Sequence, residues 1–481
     1  MKYSGKYMKK RILAFTCAIL LFCSQGITAR ADQNTIEARL ESQRAMTVQS
    51  NEVPNWPTGP VVSSESAILM ELETGTILYA KNIHNKEYPA STTKILTSLI
   101  ASEECSLDEM VSFSHDAVFD TPRNSNHIAM DVGQKLTMEQ CLNAILIRSA
   151  NEVSYAVAEH ISHTTDWSVF AEMMNKRAAE LGALNSHFVN PNGLPDEEHY
   201  TTAYDLAMIG RAFFSNELLC SITLTKRMEI PASPDTIPVT KLENNAMQII
   251  PGGTYGYDYL VGCKTGFTET ARYSLVSCAE KDGMKLICVV MKDESPNHYE
   301  DTISLFNYGF SNFQKVNVSQ TDTRYNMEES DMFYGGSGIF GDSSMLLSLN
   351  EDDVIILPRT LTFKDVDSSI SYHVENSDYA AVITYSYQGV DIGTVRVCFA
   401  ADNTEDELFE TPEETEDKKS SVVFVNILRI LLGIAVVVAV LFVAALIRVI
   451  LKRYSISLRK RNQTGWKSAR QKKRKRRRRR R

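Results

Sequence analysis

Pro89-Ala90-Ser91-Thr92-Thr93-Lys94 lies between a predicted β-hairpin and a predicted apolar helix in this chain of 481 residues. Residues three apart are neighbours on a helix, so Lys94 can reach the hydroxyl of Ser91. A serine becomes a nucleophile when a nearby base takes its proton, and a desolvated lysine can be that base. The Ser-x-x-Lys spacing alone indicates little, because Ser457-Leu458-Arg459-Lys460 repeats it in a basic tail.

Two further short patterns follow Lys94 in the chain. Ser149-Ala150-Asn151 lies at the junction of two predicted helices, where a helix-capping pair is the simpler interpretation. Lys264-Thr265-Gly266 occurs once, at the end of a predicted strand, where a glycine admits a substrate backbone and the other two side chains can bind an anion. The order of the three patterns, 58 and 115 residues apart, raises them above chance.

Hydrophobic periodicity predicts the elements around these patterns. They are strands at 67–72 and 76–81, a helix starting behind Ser91, helices at 137–147, 151–162, 166–181 and 202–214, strands at 259–264, 273–279 and 284–291, and a helix at 298–313. Thr202, three residues before Asp205, is typical of a helix start. We therefore expect one α+β domain whose sheet is completed by both of its ends. Alternating runs at 354–357, 380–387 and 393–399 predict a small all-β domain after it.

The ends of the chain carry targeting signals. A basic start, an apolar run over 12–23 and Ala29-Arg30-Ala31 predict a signal peptide at 1–31. Residues 422–451 are almost wholly apolar and predict a transmembrane helix, and the acidic residues 401–421 predict a stalk before it. Residues 452–481 hold 17 Lys and Arg and no acid, so we expect a cytoplasmic tail against anionic lipids and an extracytoplasmic body, anchored by one pass in a bacterial cell membrane.

Charge and cysteine content exclude some function classes. Residues 32–451 hold 28 basic and 59 acidic side chains, so the body would repel nucleic acid, which is not an expected partner. Seven cysteines follow the predicted signal peptide, scattered and without Cys-x-x-Cys spacing. They indicate neither a disulfide framework nor a zinc site, and we expect most of them to be buried.

In their order the three patterns resemble those of class A β-lactamases and penicillin-binding proteins. More closely, the chain resembles the low-molecular-mass penicillin-binding proteins, the serine D-alanyl-D-alanine carboxypeptidases of bacterial cell walls. The likeness covers about residues 60–400 and includes Phe188–Leu194 and His199–Ala207. It implies a β-lactamase/transpeptidase-like catalytic domain at 60–314, an antiparallel sheet flanked by helices, and a β-rich domain at 315–400.

The resemblance also implies a catalytic role for three residues. Ser91 attacks the carbonyl between the last two D-alanines of a peptidoglycan stem pentapeptide, and Lys94 is the base. Ser149 relays a proton toward the leaving amine, and water then releases the acyl-enzyme. A β-lactam is expected to acylate Ser91 as an inhibitor, and neither a metal nor another cofactor is required.

Five further residues are expected to bind the substrate. Asn151 holds the substrate's peptide, and Lys264 and Thr265 meet its terminal carboxylate beside Gly266. The backbone N–H groups of Ser91 and Phe267 form the oxyanion hole.

The sequence departs from the family at one position and leaves alternative functions open. Arg272 stands where the family usually shows glycine, so the local backbone and the carboxylate contacts are open at this point. A D,D-endopeptidase or a catalytically silent penicillin-binding wall protein has the same patterns. A β-lactamase is disfavoured because no deacylating glutamate motif is found, and a zinc carboxypeptidase because no metalloprotease motif surrounds His160 and His163.

Overall fold

The computed structural model of the chain describes residues 34–232, 239–322, 347–372 and 379–399. The predicted signal peptide, stalk, transmembrane helix and basic tail lie outside these ranges. Within the ranges, no helix is both long enough and apolar enough to cross a membrane.

The described residues form strands and α-helices that are numbered here in chain order. The strands are β1 (Ser66–Glu71), β2 (Ile77–Lys81), β3 (Met110–Ser112), β4 (Lys135–Thr137), β5 (Arg227–Ile230), β6 (Thr240–Glu243), β7 (Leu260–Thr268), β8 (Arg272–Lys281), β9 (Met284–Asp293), β10 (Phe313–Asn317), β11 (Leu347–Leu349), β12 (Val354–Pro358), β13 (Asp367–Ser371), β14 (Tyr379–Tyr387) and β15 (Val390–Phe399). The helices are α1 (34–44), α2 (Lys94–Glu104), α3 (His115–Phe119), α4 (Met138–Asn143), α5 (Asn151–Ser162), α6 (Trp167–Glu180), α7 (Ala203–Phe214), α8 (Glu217–Leu224), α9 (Asn297–Asn312) and α10 (Val318–Thr321).

An antiparallel sheet in the order β2-β1-β9-β8-β7 organises the structure. Two of its strands precede the helices α2–α8 and three follow them, so the predicted α+β arrangement is confirmed. Side chains alternate along β1. Ile68 and Met70 join the apolar cluster that the helices build, whereas Ala67 and Leu69 join the cluster on the opposite face. Since both faces are covered, β1 is an unbroken buried run.

The helix α2 lies inside the helical layer. Every residue from Lys94 to Ala101 is buried, which an amphipathic surface helix would not show. Helices α4–α8 pack around it in the same apolar cluster. The predicted start of α7 is confirmed, because the side chain of Thr202 accepts a hydrogen bond from the backbone N–H of Asp205. This packing holds the start of α2 in the interior, next to the sheet.

The helix α9 packs on the other face of the sheet, and the C-terminal strands join the same apolar cluster. β11, β13, β14 and β15 form a four-stranded sheet in the order β11-β15-β14-β13, and β10 pairs with β12. Trp56 links this part to the rest, because its ring lies 5.2 Å from that of Phe313 and 6.4 Å from that of Tyr387. One apolar cluster therefore runs from the central sheet into the C-terminal strands.

The structure corrects three predicted element boundaries. The segment Ala90–Thr93 is a 3-10 turn, and α2 begins only at Lys94. The predicted helix at 137–147 is α4 followed by a π-helical turn over Ala144–Arg148. The predicted strand end at residue 264 is wrong, because β7 stays paired with β8 up to the Thr268–Arg272 pair. Lys264-Thr265-Gly266 therefore lies within a strand.

Candidate active site

The turn Ala90–Thr93 presents Ser91 at the edge of the core. Ala90 has a φ of +49°, in the left-handed region that residues with a side chain rarely adopt. The backbone N–H and the hydroxyl of Thr92 both donate hydrogen bonds to the Pro89 carbonyl oxygen and hold this conformation. Ser91 is partly exposed, whereas Lys94 behind it is fully buried. A solvent-accessible hydroxyl thus stands over an amine that has no access to water.

The amine of Lys94 makes three short polar contacts. Its Nζ lies 3.2 Å from Oγ of Ser91, 2.7 Å from Oδ1 of Asn151 and 2.6 Å from the carbonyl oxygen of Asn192. Burial, together with the neighbouring cation of Lys264, lowers the pKa of Lys94 well below its usual range, and the carboxylate of Glu152 opposes this only in part. The predicted pair of Ser91 and Lys94 is therefore brought within hydrogen-bonding distance.

Ser149 and Asn151 reach the same place from the junction of the π-helical turn and α5. Ser149 ends the turn in the left-handed conformation, with φ +62° and ψ +37°. The residue that precedes α5 at its N-terminus is Ala150, and no side chain caps the helix there, so the helix-capping interpretation of this pattern is wrong. The strained serine and the first residue of α5 are turned toward Lys264 and Lys94 instead.

The strand β7 closes the site on its other side. Nζ of Lys264 lies 3.2 Å from Oγ of Ser149 and donates to the carbonyl oxygen of Thr265 at 2.8 Å. A Cβ atom on Gly266 would lie only 2.9 Å from the carbonyl oxygen of Pro89, so a glycine is needed where β7 passes the serine turn. Phe267, the next residue, exposes 43% of its surface.

The charge of Lys264 depends on the pH near neutrality. The side chain is buried, and this burial lowers its pKa to about 8. Lys264 is therefore mainly cationic at pH 7, close to the position where an anionic group of a ligand could lie beside Thr265.

The sequence reasoning missed the role of the segment Phe188–Leu194, which it had noted only as part of the family resemblance. Asn192 supplies the carbonyl oxygen that accepts from Lys94. Oδ1 of Asn190 accepts from the backbone N–H of Gly193 at 2.7 Å and shapes the turn. The Pro-Asn-Gly composition indicated a turn, but not one that touches a residue 98 positions earlier.

His199 supports the serine turn from behind. Its Nδ1 accepts a hydrogen bond from the backbone N–H of Val189, so the proton is on Nε2, which lies 2.9 Å from Oγ1 of Thr93. Burial lowers the pKa of His199 to about 4. The ring is therefore neutral at pH 7 and locks the residue that precedes Lys94.

Arg272 adopts a left-handed backbone conformation, which is the conformation that favours glycine. Its φ is +55°, and its guanidinium pairs with both carboxylate oxygens of Glu294, at 2.9 and 2.8 Å. It also lies 3.2 Å from the carboxylate of Glu269. The side chain is thus held by acidic partners of the protein itself.

The arrangement combines the hydroxyl of Ser91, a buried amine beside it, a second hydroxyl beside a second amine, and a strand edge. β7 is the outer strand of the sheet, so alternate backbone N–H groups point away from β8, toward the serine turn. These groups suit attack of a serine on an amide or ester carbonyl, with proton transfer by side chains alone.

Comparisons with known proteins agree with this chemistry. The profile of the Peptidase_S11 family, described as D-alanyl-D-alanine carboxypeptidase, matches residues 53–295. The chain is 33% identical over 260 residues to D-alanyl-D-alanine carboxypeptidase DacF of Bacillus subtilis, an alignment that spans 52% of this chain and 63% of that protein, less than two thirds of its length. It is 30% identical over 261 residues to D-alanyl-D-alanine carboxypeptidase DacB2 of Mycobacterium tuberculosis, covering 53% and 84%.

A solved structure shares the fold over a longer part of the chain. Penicillin binding protein 5 from Haemophilus influenzae superimposes with a TM-score of 0.57 at 24% identity, covering 71% of this chain and 98% of that one. The similarity at this identity is one of fold.

Proposed function

Because the chain belongs to the Peptidase_S11 family of D-alanyl-D-alanine carboxypeptidases, we propose that it is a serine-type D-Ala-D-Ala carboxypeptidase. It removes the terminal D-alanine from peptidoglycan stem pentapeptides through an acyl-enzyme on Ser91. The observation that carries the proposal is the contact set of Lys94, whose Nζ lies 3.2 Å from Oγ of Ser91 and close to two carbonyl oxygens.

A neutral amine satisfies all three contacts. A neutral lysine has two N–H donors and one lone pair, and the two carbonyl oxygens, of Asn151 and Asn192, are at 2.7 and 2.6 Å. They use both donors, which leaves the lone pair for the hydroxyl proton of Ser91. Burial and the charge of Lys264 both lower the pKa of Lys94, which favours this state. Lys94 then takes the proton while Oγ attacks the carbonyl carbon, a step to which a general base contributes about 10²–10⁴-fold.

The proton next has to reach the leaving D-alanine. We assign this relay to Ser149, and the position of its hydroxyl, 3.2 Å from Nζ of Lys264, supports the assignment. The side-chain amide of Asn151 holds the substrate's peptide group. Backbone N–H groups of Ser91 and Phe267 stabilise the oxyanion, at about 3 kcal/mol per donor. A water molecule then attacks the acyl-enzyme and regenerates Ser91.

The terminal carboxylate of the substrate is bound by Lys264 and Thr265. Lys264 is the buried cation at this edge, while Arg272 is engaged by Glu294 and Glu269. A β-lactam presents a strained amide and a carboxylate in a similar arrangement, so it acylates the same serine and inhibits the enzyme.

Labelling with a fluorescent penicillin tests the nucleophile. Ser91→Ala should abolish labelling, and Lys94→Ala should reduce its rate by about 10²–10⁴-fold. Ser457→Ala is the matched control, because Ser457 and Lys460 repeat the Ser-x-x-Lys spacing in the tail. Peptide mapping that places the acyl group elsewhere than on Ser91 would contradict the proposal.

Mass spectrometry of muropeptides tests the substrate. Purified protein incubated with a pentapeptide muropeptide should release one alanine from each stem. Cleavage of cross-linked dimers without loss of that alanine would indicate a D,D-endopeptidase instead, and labelling without any turnover would indicate a silent wall protein.

We also propose that residues 1–31 export the chain and that residues 422–451 anchor it once in the bacterial membrane. The apolar composition of both segments and the 17 cations of residues 452–481 support this topology. It places the active site on the outer side, where peptidoglycan is. Treating intact protoplasts with trypsin should leave the basic tail uncut, and its removal by external trypsin would reverse the proposed orientation.

A further inference from the structure

Cys105, Glu109 and His160 form a group of metal-ligating side chains outside the catalytic site. The sulfur of Cys105, a carboxylate oxygen of Glu109 and a ring nitrogen of His160 all lie within 4.8 Å of one another, and each residue is partly exposed. We propose that these three side chains bind a divalent cation of the zinc type. The proposal does not depend on the carboxypeptidase activity.

The donor set fits Zn²⁺ in kind and in size. Zinc takes thiolate, imidazole and carboxylate ligands at about 2.0–2.3 Å, so donors that share one ion lie about 3.3–3.8 Å apart. A spread of 4.8 Å or less needs a closure of about 1 Å, which rotamer adjustment at a partly exposed site can provide. Three protein ligands leave the fourth position of a tetrahedral ion to water.

The ligands are held by the backbone around them. Oε1 of Glu109 accepts from the backbone N–H of Ser106 at 2.7 Å, which turns Oε2 toward Nε2 of His160, 3.0 Å away. The backbone carbonyl oxygen of Glu109 accepts from Met138 at 2.8 Å, which fixes the turn to the start of α4. Hydrogen bonds of this kind orient the ligands of metal sites and favour binding.

Cys105 differs from most cysteines of the described chain. Five of the seven described cysteines are buried, whereas Cys105 is partly exposed just after the last residue of α2. An ion pair between Glu109 and His160 requires no thiol beside it, so the ion pair alone does not account for the position of Cys105. The carboxylate of Glu104, the last residue of α2, adds further negative charge near Cys105.

The position in the fold separates this site from the serine. Lys94 begins α2 and Asn151 begins α5, while Cys105 follows the end of α2 and His160 lies in the last turn of α5. At 1.5 Å per residue, His160 is about 14 Å along α5 from Asn151. A bound cation would therefore cross-link the far ends of the two helices that carry the base and its acceptor.

Titration calorimetry of the full chain in detergent with Zn²⁺, after treatment with a chelator, tests the proposal. We expect one Zn²⁺ per chain at micromolar concentrations, and Cys105→Ser and His160→Gln should each weaken binding by at least about tenfold. His115→Gln is the matched control, because His115 pairs with a carboxylate, that of Asp116, without a cysteine nearby, and it should bind as the wild type does. Far-UV circular dichroism and thermal unfolding verify that each variant is folded.

Two outcomes would overturn the site. One is the absence of binding at micromolar Zn²⁺, and the other is binding that Cys105→Ser leaves unchanged. If Cys105→Ser does not fold, Co²⁺ bound to the wild-type chain decides, since a cobalt–thiolate charge-transfer band requires the cysteine and its absence would refute the assignment.

Discussion

Gly193 packs directly against the carbonyl group of Ala90, so closely that a Cβ atom at position 193 would overlap the carbonyl oxygen. Both residues have positive φ, +81° for Gly193 and +49° for Ala90. Ala90 immediately precedes Ser91, the proposed nucleophile. The loop that supplies the Asn192 acceptor therefore also supports the turn that presents Ser91.

Gly193→Ala should lower the rate of acylation by about 10²-fold, because the new methyl group displaces the serine turn from Lys94. The measurement is the rate of labelling by a fluorescent penicillin. Gly283→Ala is the matched control, since Gly283 has a φ of +76° but no atom within 4 Å of its Cβ position. Equal rates for the two variants would show that the contact with Ala90 does not position Ser91.

The pH profile of acylation should be bell-shaped for ligands that carry a carboxylate. On the alkaline side Lys264, with a pKa lowered to about 8 by burial, loses the proton that attracts the carboxylate, so the rate falls above about pH 8. On the acidic side Lys94 becomes protonated and can no longer accept the proton of Ser91.

Lys264→Met should change both limbs of that profile. The alkaline limb should vanish, and the acidic limb should move to higher pH, because the cation that helps to lower the pKa of Lys94 is gone. Lys285→Met, which removes an exposed lysine paired with Glu280, is the control and should leave the profile unchanged. An acidic limb that stays in place in Lys264→Met would exclude Lys264 as a cause of the lowered pKa.

Arg272→Gly should be more stable than Arg272→Ala by about 1 kcal/mol, because only the alanine retains the steric cost of a φ of +55°. Both variants lose the ion pair with Glu294, so their difference isolates the backbone. Thermal unfolding measures it, and Arg227→Ala, which removes an exposed ion pair with Glu243, should have little effect. An alanine variant as stable as the glycine variant would refute the steric explanation.

Stability should fall in mild acid partly because of His199. Its pKa is lowered from 6.5 to about 4 in the folded chain, so its contribution is complete above about pH 6.5 and is lost progressively as the pH falls through about 4. A shift of this size corresponds to at most about 3 kcal/mol.

The measurement is chemical denaturation of the wild type and His199→Gln between pH 7 and pH 4. The variant should show the smaller loss over this range, since it has no ring to protonate at this position. His115→Gln, which replaces an exposed histidine, is the control. Parallel curves for the wild type and His199→Gln would mean that protonation of His199 does not limit acid stability.

Most of the local structure could be read from the sequence. The apolar run of β1, the helical spacing of α5–α7 and the Thr202 cap depend on residues a few positions apart, and all of them are confirmed. Local pattern failed at the π-helical turn before Ser149 and at the end of β7, where pairing with β8 extends the strand beyond the apolar run. The order of the three patterns was sufficient to indicate the family.

The tertiary structure alone decided how the site works. The carbonyl oxygens of Asn151 and Asn192, 57 and 98 residues away, accept from Lys94, and Lys264 helps to lower its pKa. These contacts suit Lys94 to the proposed role of base. Cys105 and His160 are also brought together only by the packing of the elements, where α2 and α5 end. Hydrophobic periodicity in the sequence indicates which residues share a helix face or a strand face, because it depends only on residues a few positions apart. Burial, and the distances between residues on different elements, arise only when the elements pack, and these quantities determine the pKa values and the metal-binding geometry.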